Sequence, residues 1–484
     1  MTSAESQTQT GGGSEGAGPH PLAVGLVRVL TGRAASLGLS FMGWALMARG
    51  LGPPAFGFVQ FGISVTFLLA FLTDLGLTTL GTRELARSRG GPSLIGRILG
   101  LRLLLAAVTA GIAAVLFASL TPAEDERRAW IVLMSTVVAS ASSAVWILRA
   151  HNKSVALALV DIASSAILFG GALLLVNAEQ DLLIAVGVFA LAQWIATAVS
   201  LRSVGDSGWL RPALRGSVGL LRRAAPLGIA ILAITVYYYA DSTLLGLLRT
   251  PEEVGFYGAA YRLVLPWLTV ASTVGLLAMP QLAEALHRGA PIHRLLERMS
   301  KLSMSLAIPV AVGGTVAAPT LITLVFGDRY LPAAVPFSIL IWSCVTVFAN
   351  APFGFLLLAR QQDRAYMFIA LSGAAVNIVL NLALIPQIGM TGAAVATISA
   401  EVVVLAAMLW ATRDISPVVL APALRFGVPI GLATGLAMWP FRTSVLALVV
   451  GAAIFVLSCV ILRVVKVEEV RQVASAAFSR ERPG

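Results

Sequence analysis

Apolar stretches long enough to cross a bilayer recur from about residue 22 to about residue 465. That repetition constrains the fold more than any other feature of the chain. About 20 apolar residues span the hydrocarbon. Where no water is present to satisfy the backbone, only helices and closed barrels can cross. Charged residues make up only 12% of the chain, about half the share in a soluble domain, so there is too little polar surface to cover a water-soluble globule. The expectation is an all-α polytopic membrane protein.

Breaks at charge clusters and Pro/Gly turns predict about fourteen spans, near 23–49, 56–81, 94–120, 129–149, 154–176, 182–202, 219–248, 255–286, 299–326, 333–359, 365–385, 391–412, 417–440 and 443–464. The connections are too short to fold as separate domains. Residues 1–21 are rich in Gly, Ser, Thr and Gln and read as a disordered cytoplasmic tail. They lack the basic-then-apolar layout of a secretory signal.

The net charge of +11 would suggest nucleic acid in a soluble protein. Here the positive-inside rule explains it, and no nucleic-acid partner is expected. With the N-terminus placed in the cytoplasm, only Arg49, Arg127, Arg128, Arg249, Arg262, Arg329 and Arg442 of the 34 basic residues fall on the outer side. An even number of spans keeps both termini cytoplasmic. The basic connection at about 287–300 reads either as an interfacial helix or as an extension of the eighth span.

Pro53–Phe58 and Pro251–Phe256 share Pro, three residues, Gly and Phe, and both fall between an odd and an even span. An offset of six spans preserves orientation. Two parallel repeats related by an axis along the membrane normal are therefore expected.

Four blocks then resemble a known family in order. They are Leu51-Gly52-Pro53 with Asp74-Leu75-Gly76-Leu77 and Arg83-Glu84-Leu85-Ala86; Asp241 to Gly246 with Glu253 to Tyr257 and Ala260 to Leu263; Phe326 to Tyr330; and Asn377 to Leu382 with Gly389 to Ala394. Together they resemble the polysaccharide transporter family of oligosaccharide flippases, within the multidrug/oligosaccharidyl-lipid/polysaccharide exporter superfamily. The resemblance implies two pseudo-symmetric six-helix lobes, at 22–210 and 211–415, around a central cavity. It also implies two added helices at 416–465 and a cytoplasmic tail at 466–484. It implies alternating access, a polyprenyl-pyrophosphate-linked oligosaccharide as cargo, and a place in the bacterial cytoplasmic membrane beside polysaccharide polymerase and glycosyltransferase machinery. Two rival readings share the architecture: a multidrug and toxic-compound extrusion cation antiporter, and a lipid II flippase.

A charge inside hydrocarbon costs about 2.5–3.5 kcal/mol at a helix centre on insertion scales, so such residues are the candidates. Arg33, Arg28 and Arg262 offer planar donors suited to pyrophosphate. Their alternatives are a pair with Asp74, contact with headgroups, and an interfacial belt, respectively. Tyr238 and Tyr261 are candidates to stack on sugar faces. Asn377 and Asn381 share a helix face and can bond cargo or a neighbouring helix. Asp241, Asp74 and Glu401 are candidates for ion coupling through Na⁺ or H⁺, or for structural pairs; Asp74 could pair with Arg83. Arg102 and Asp161 are further intramembrane charges. No catalytic motif, metal spacing or cofactor motif is found. The two cysteines, Cys344 and Cys459, are distant from each other in sequence and predict no disulfide.

Overall fold

The computed structural model describes residues 21–87, 91–205, 211–214 and 216–462. Most of both expected tails lies outside them. The described chain is helical: α1 (Pro21–Asp74), α2 (Leu77–Ala86), α3 (Pro92–Leu120), α4 (Glu124–Ser142), α5 (Val145–Ala150), α6 (Ser154–Leu175), α7 (Leu182–Val204), α8 (Val218–Leu248), α9 (Pro251–His287), α10 (His293–Val316), α11 (Ala318–Phe326), α12 (Ala334–Leu340), α13 (Ser343–Ala359), α14 (Asp363–Ala411), α15 (Ser416–Met438) and α16 (Leu446–Ile461). No strand occurs among the described residues.

Two of these elements are too long for one crossing. At 1.5 Å per residue α1 would be about 81 Å if straight, against about 30 Å of hydrocarbon. It bends at Gly52 (φ 70, ψ 173), immediately before Pro53 and Pro54. Gly tolerates that φ without strain, and the prolines remove amide donors. The first two expected spans are the two arms of this helix. Likewise α14 turns at Ile388 and Gly389 (φ 55), after Pro386.

Both elbows are tied down by side chains. Arg49 donates to the carbonyl of Val325 at 2.8 Å and to that of Leu324. The Tyr330 hydroxyl donates to Ala48 at 2.8 Å. At the second elbow the Arg249 guanidinium donates to Ile385 O at 3.0 Å. Glu253 accepts the Met390 amide at 2.9 Å, satisfying an otherwise orphan donor where the second arm begins.

Several boundaries differ from the expected ones. The second span stops at Asp74, because Leu75 (φ 44) and Gly76 (φ 81) break it before α2. The fourth span is interrupted at Ser143-Ala144, between α4 and α5. The basic segment near 287–300 is neither an interfacial helix nor an extension of the eighth span. The chain turns after His287, and residues from His293 form the first turns of α10.

The first half packs α1 against α4 and α6, and α6 and α4 against α7; the second half packs α10 against α13 and α15, and α14 against α8 and α13; α1 packs on α9 across the two halves. One large buried cluster, from Trp44 and Met47 through Phe189 and Tyr257 to Phe326 and Ala349, crosses both halves. At one end α1 meets α9 around Gly57 and Gly255. At the other end the Leu75-Gly76 turn packs on Ala224–Gly228 of α8, and Arg223 pairs with Glu84 at 2.6 Å.

Candidate functional site

Between these two contacts lies a cavity of about 260 Å³, walled by α1, α6, α7, α8 and α9. Its polar lining includes Ser40, Gln60, Ser64, Ser164, Gln193 and Ser242, and its aromatic lining includes Trp44, Tyr238, Tyr239 and Tyr261. Arg262 supplies its charge. The helix that carries Arg262 starts at Pro251, earlier than expected. Eleven residues in, Arg262 is about 17 Å along the axis.

Arg262 is held without neutralisation. Its Nη2 donates to Gln60 Oε1 at 3.0 Å, and its Cζ lies 3.8 Å from the centre of the Trp44 ring. A cation over an indole face is attracted by the ring quadrupole. No carboxylate pairs with it among the described residues. Gly258, one turn earlier, leaves the room that Gln60 needs: a Cβ there would sit 2.8 Å from Gln60 Cγ. Tyr261 stacks on Tyr257 at 6.1 Å, and Tyr239 on Phe67 at 4.7 Å. Tyr238 is 45% exposed.

Two adjoining cavities share Phe67 with the first and continue past Ser140 and Ser143 to Arg149; one of them also reaches Asp161. Asp74 and Arg102 stand on this path. Asp74 does not pair with Arg83: its Oδ1 lies 3.2 Å from Arg102 Nε, and it accepts Thr78 Oγ1 at 3.0 Å. Arg102 also donates to the Ser140 carbonyl at 2.8 Å, at the frayed end of α4. This pair joins α1, α3 and α4, a structural arrangement.

Asp241 of α8 sits in a second, buried polar shell. Its Oδ2 accepts the Tyr257 hydroxyl at 2.8 Å and the Thr397 hydroxyl at 2.5 Å; its Oδ1 accepts Asn381 Nδ2 at 2.5 Å. Asn381 Nδ2 also lies 3.1 Å from Asn377 Oδ1. Asn377 and Asn381 are 0% exposed. They belong to this shell rather than to the wall of the Arg262 cavity, and serve the second of the two alternatives, bonding a neighbouring helix. Asn377 Nδ2 and Asn381 Oδ1 are buried without a hydrogen-bond partner. Asp241 has no cationic partner among the described residues.

Glu401 accepts the Tyr237 hydroxyl at 2.5 Å. Its partner is a phenol rather than an arginine. Arg28 and Arg33 lie on α1, but their side chains are outside the described residues. Trp44, Gln60 and Thr397 had no sequence signal, and Tyr257 only its place in a family-like block: each is an ordinary residue of an apolar helix until packing brings it to a charge. No group of three or more His, Cys, Asp or Glu that could hold a metal occurs among the described residues.

The described residues thus form a helical membrane bundle with a polar central cavity, one cation in it without a carboxylate partner, and a separate buried carboxylate shell. Its fold is the one shared by transporters of the multidrug/oligosaccharidyl-lipid/polysaccharide exporter superfamily. The chain belongs to the polysaccharide biosynthesis protein family, whose pattern matches residues 25–286. It is 23% identical over 230 residues to the probable low-salt glycan biosynthesis flippase Agl15 of Haloferax volcanii, covering 47% of this chain and 48% of that protein. The chain thus matches about half the length of this curated relative. In fold it is similar to the lipid II flippase MurJ in an inward closed conformation, with a TM-score of 0.75 at 12% identity over 90% of this chain and 98% of that one. It is also similar to an inward-facing multidrug resistance MATE family transporter, with a TM-score of 0.61 at 12% identity over 79% and 95%.

Proposed function

We propose that this protein is a flippase that carries a polyprenyl-pyrophosphate-linked oligosaccharide from the cytoplasmic to the outer leaflet by alternating access. The observation that carries this reading is Arg262. Burying a guanidinium without a carboxylate is costly, and here it faces a cavity instead of a counter-ion. Its planar donors match a diphosphate. The serines and glutamines around it suit sugar hydroxyls, and Tyr238 and Tyr261 offer faces for sugar rings. A cation antiporter would place a negative charge in this cavity, where the lining supplies a positive one.

The Asp241 shell supports ion coupling. Na⁺ needs several oxygen ligands, and Asp241, Thr397, Asn377 and Asn381 converge there. An ion seated among them would engage the partnerless Asn381 Oδ1. Binding of a cation would replace the missing counter-charge of Asp241 and tighten α8 on α14, so the ion gradient would bias the equilibrium between the two access states. The two contacts at opposite ends of the cavity are the parts that must open alternately. The two-lobe division at about residue 210 and the added pair α15 and α16 fit this scheme, with both termini in the cytoplasm.

The test is transfer of fluorescent polyprenyl-pyrophosphate oligosaccharide in proteoliposomes, read with a membrane-impermeant quencher. Transfer is expected from the wild type, with loss in Arg262→Ala while the protein remains folded. Export of a cationic dye, with no lipid transfer, would replace this reading by the antiporter. Transfer of lipid II in preference to other polyprenyl glycans would assign the cargo to cell-wall synthesis.

A further inference from the structure

Helices α8 and α14 are joined by two rungs one helical turn apart. Tyr237 bonds Glu401, and four residues later in one helix, four earlier in the other, Asp241 bonds Thr397, each at 2.5 Å. The Asp241 rung sits in the oxygen-rich shell described above. The Glu401 rung opens instead onto its own cavity of about 430 Å³, walled mainly by Leu265, Leu268, Val347, Phe355 and Val404. The polar groups on that wall are Glu401 with Tyr238, Tyr366, Thr269 and Asn350. Asn350 Oδ1 is buried and has no hydrogen-bond partner. Glu401 is 8% exposed.

A carboxylate in an apolar cavity needs a cation, a proton or a hydrogen-bond donor. A metal ion needs oxygens that converge on one point, as the side chains of Tyr257, Thr397 and Asn381 do around Asp241; on this wall the hydrogen bond to the Glu401 carboxylate is that of Tyr237. A proton needs one oxygen. The titratable groups around Glu401 are Tyr237, Tyr238 and Asp241 of α8, Tyr261 of α9, Cys344 of α13 and Tyr366 of α14. Among the described residues no Lys, Arg or His pairs with it.

We infer that Glu401 is a proton-binding site distinct from the Asp241 shell. The carboxylate takes one proton from the cavity, and Tyr237 keeps its hydroxyl hydrogen. The Tyr237 bond then passes from charge-assisted to neutral, which roughly halves its strength. The upper rung between α8 and α14 loosens while the Asp241 rung is unaffected. Tyr238, the next residue, lines both this cavity and the Arg262 cavity, and its ring lies 5.9 Å from that of Tyr237. Protonation at Glu401 is thereby transmitted to the cargo cavity. That last step rests on the flippase reading; the proton site does not.

The test is an infrared pH titration of the purified full-length protein in detergent, following the carbonyl band of protonated carboxyl groups. Wild type is expected to show a titrating band that disappears in Glu401→Gln and persists in Asp241→Asn. Tyr237→Phe should move its midpoint, since it deletes the one hydroxyl bonded to the carboxylate. A band unchanged by Glu401→Gln, or removed only by Asp241→Asn, would overturn the assignment, as would a wild type with no titrating band. If Glu401→Gln does not fold, Tyr237→Phe decides: an unmoved midpoint overturns the proposal. Absence of lipid transfer in vesicles would fail the flippase reading while leaving this titration intact.

Discussion

Gly57 and Gly255 contact each other's motif reciprocally: Gly57 packs on the Pro251 carbonyl and Gly255 on the Pro53 carbonyl. A Cβ on Gly57 would overlap Pro251 O and stand 2.8 Å from Gly255 N; a Cβ on Gly255 would overlap Pro53 O. Two equivalent patches that meet face to face are what a two-fold axis produces. The short repeat noticed in the sequence is therefore also the point where its two copies touch, closing one end of the cavity.

Gly57→Ala should hold that end open. The neighbours are backbone atoms, which cannot rotate away. With Ser40→Cys as a reporter in the cavity, labelling by an impermeant maleimide from the outer side is expected to rise several-fold. Unchanged labelling would mean that α1 and α9 separate without using this contact.

Arg262→Lys should not restore what Arg262→Ala loses. Ammonium keeps the charge but not the paired planar donors or the stacking on Trp44. A charge-assisted contact of about 1.5–3 kcal/mol corresponds to roughly 10- to 100-fold in apparent cargo affinity. Competition by soluble diphosphate against fluorescent cargo measures it. Trp44→Ala should produce part of the same loss, because the guanidinium is then no longer held in place.

Arg102→Ala should destabilise the fold by about 1–3 kcal/mol by leaving the half-buried Asp74 carboxylate without its cation. The double change with Asp74→Ala should be less than additive. Thermal unfolding of the four proteins in one detergent gives the coupling. Additive effects would make Asp74 and Arg102 independent.

One ion pair outside the membrane has a readable pH dependence. Arg360 donates to Asp414 Oδ2 at 2.7 Å in the turn between α14 and α15, and this bond holds the Asp414 carboxyl below its usual range. A depressed folded-state pKa contributes stability that is present above the unfolded value and lost as pH falls through the folded one. Asp414 is more than half exposed, so the contribution is at most about 1 kcal/mol. Arg360→Ala should lower stability at neutral pH by up to that amount, leave the acid end of the melting curve nearly unchanged, and so flatten the dependence between them.

Helix existence was legible because hydrocarbon leaves the backbone only helices or closed barrels, and runs of about 20 apolar residues fit the helix rather than a strand of about ten. Each apolar run had to become a helix whatever it packed against. Boundaries were less legible. Leu75-Gly76 and Ser143-Ala144 break helices inside apolar runs, and hydropathy does not register a change in φ. Arg262 and Asp241 could be singled out because charge in an apolar run is costly wherever it falls. Their partners could not.

The sequence by itself determined the solvent, the helical class, the positions of the buried charges and the family to which the chain belongs. These follow from local composition and short motifs, which do not depend on distant contacts. The tertiary structure decided which charge meets which partner. It sent Asp74 to Arg102, Asn377 and Asn381 to Asp241, Glu401 to Tyr237, and left Arg262 with Trp44 and Gln60. Those pairings join residues up to about 200 positions apart, and long-range contacts are set by how whole helices cross.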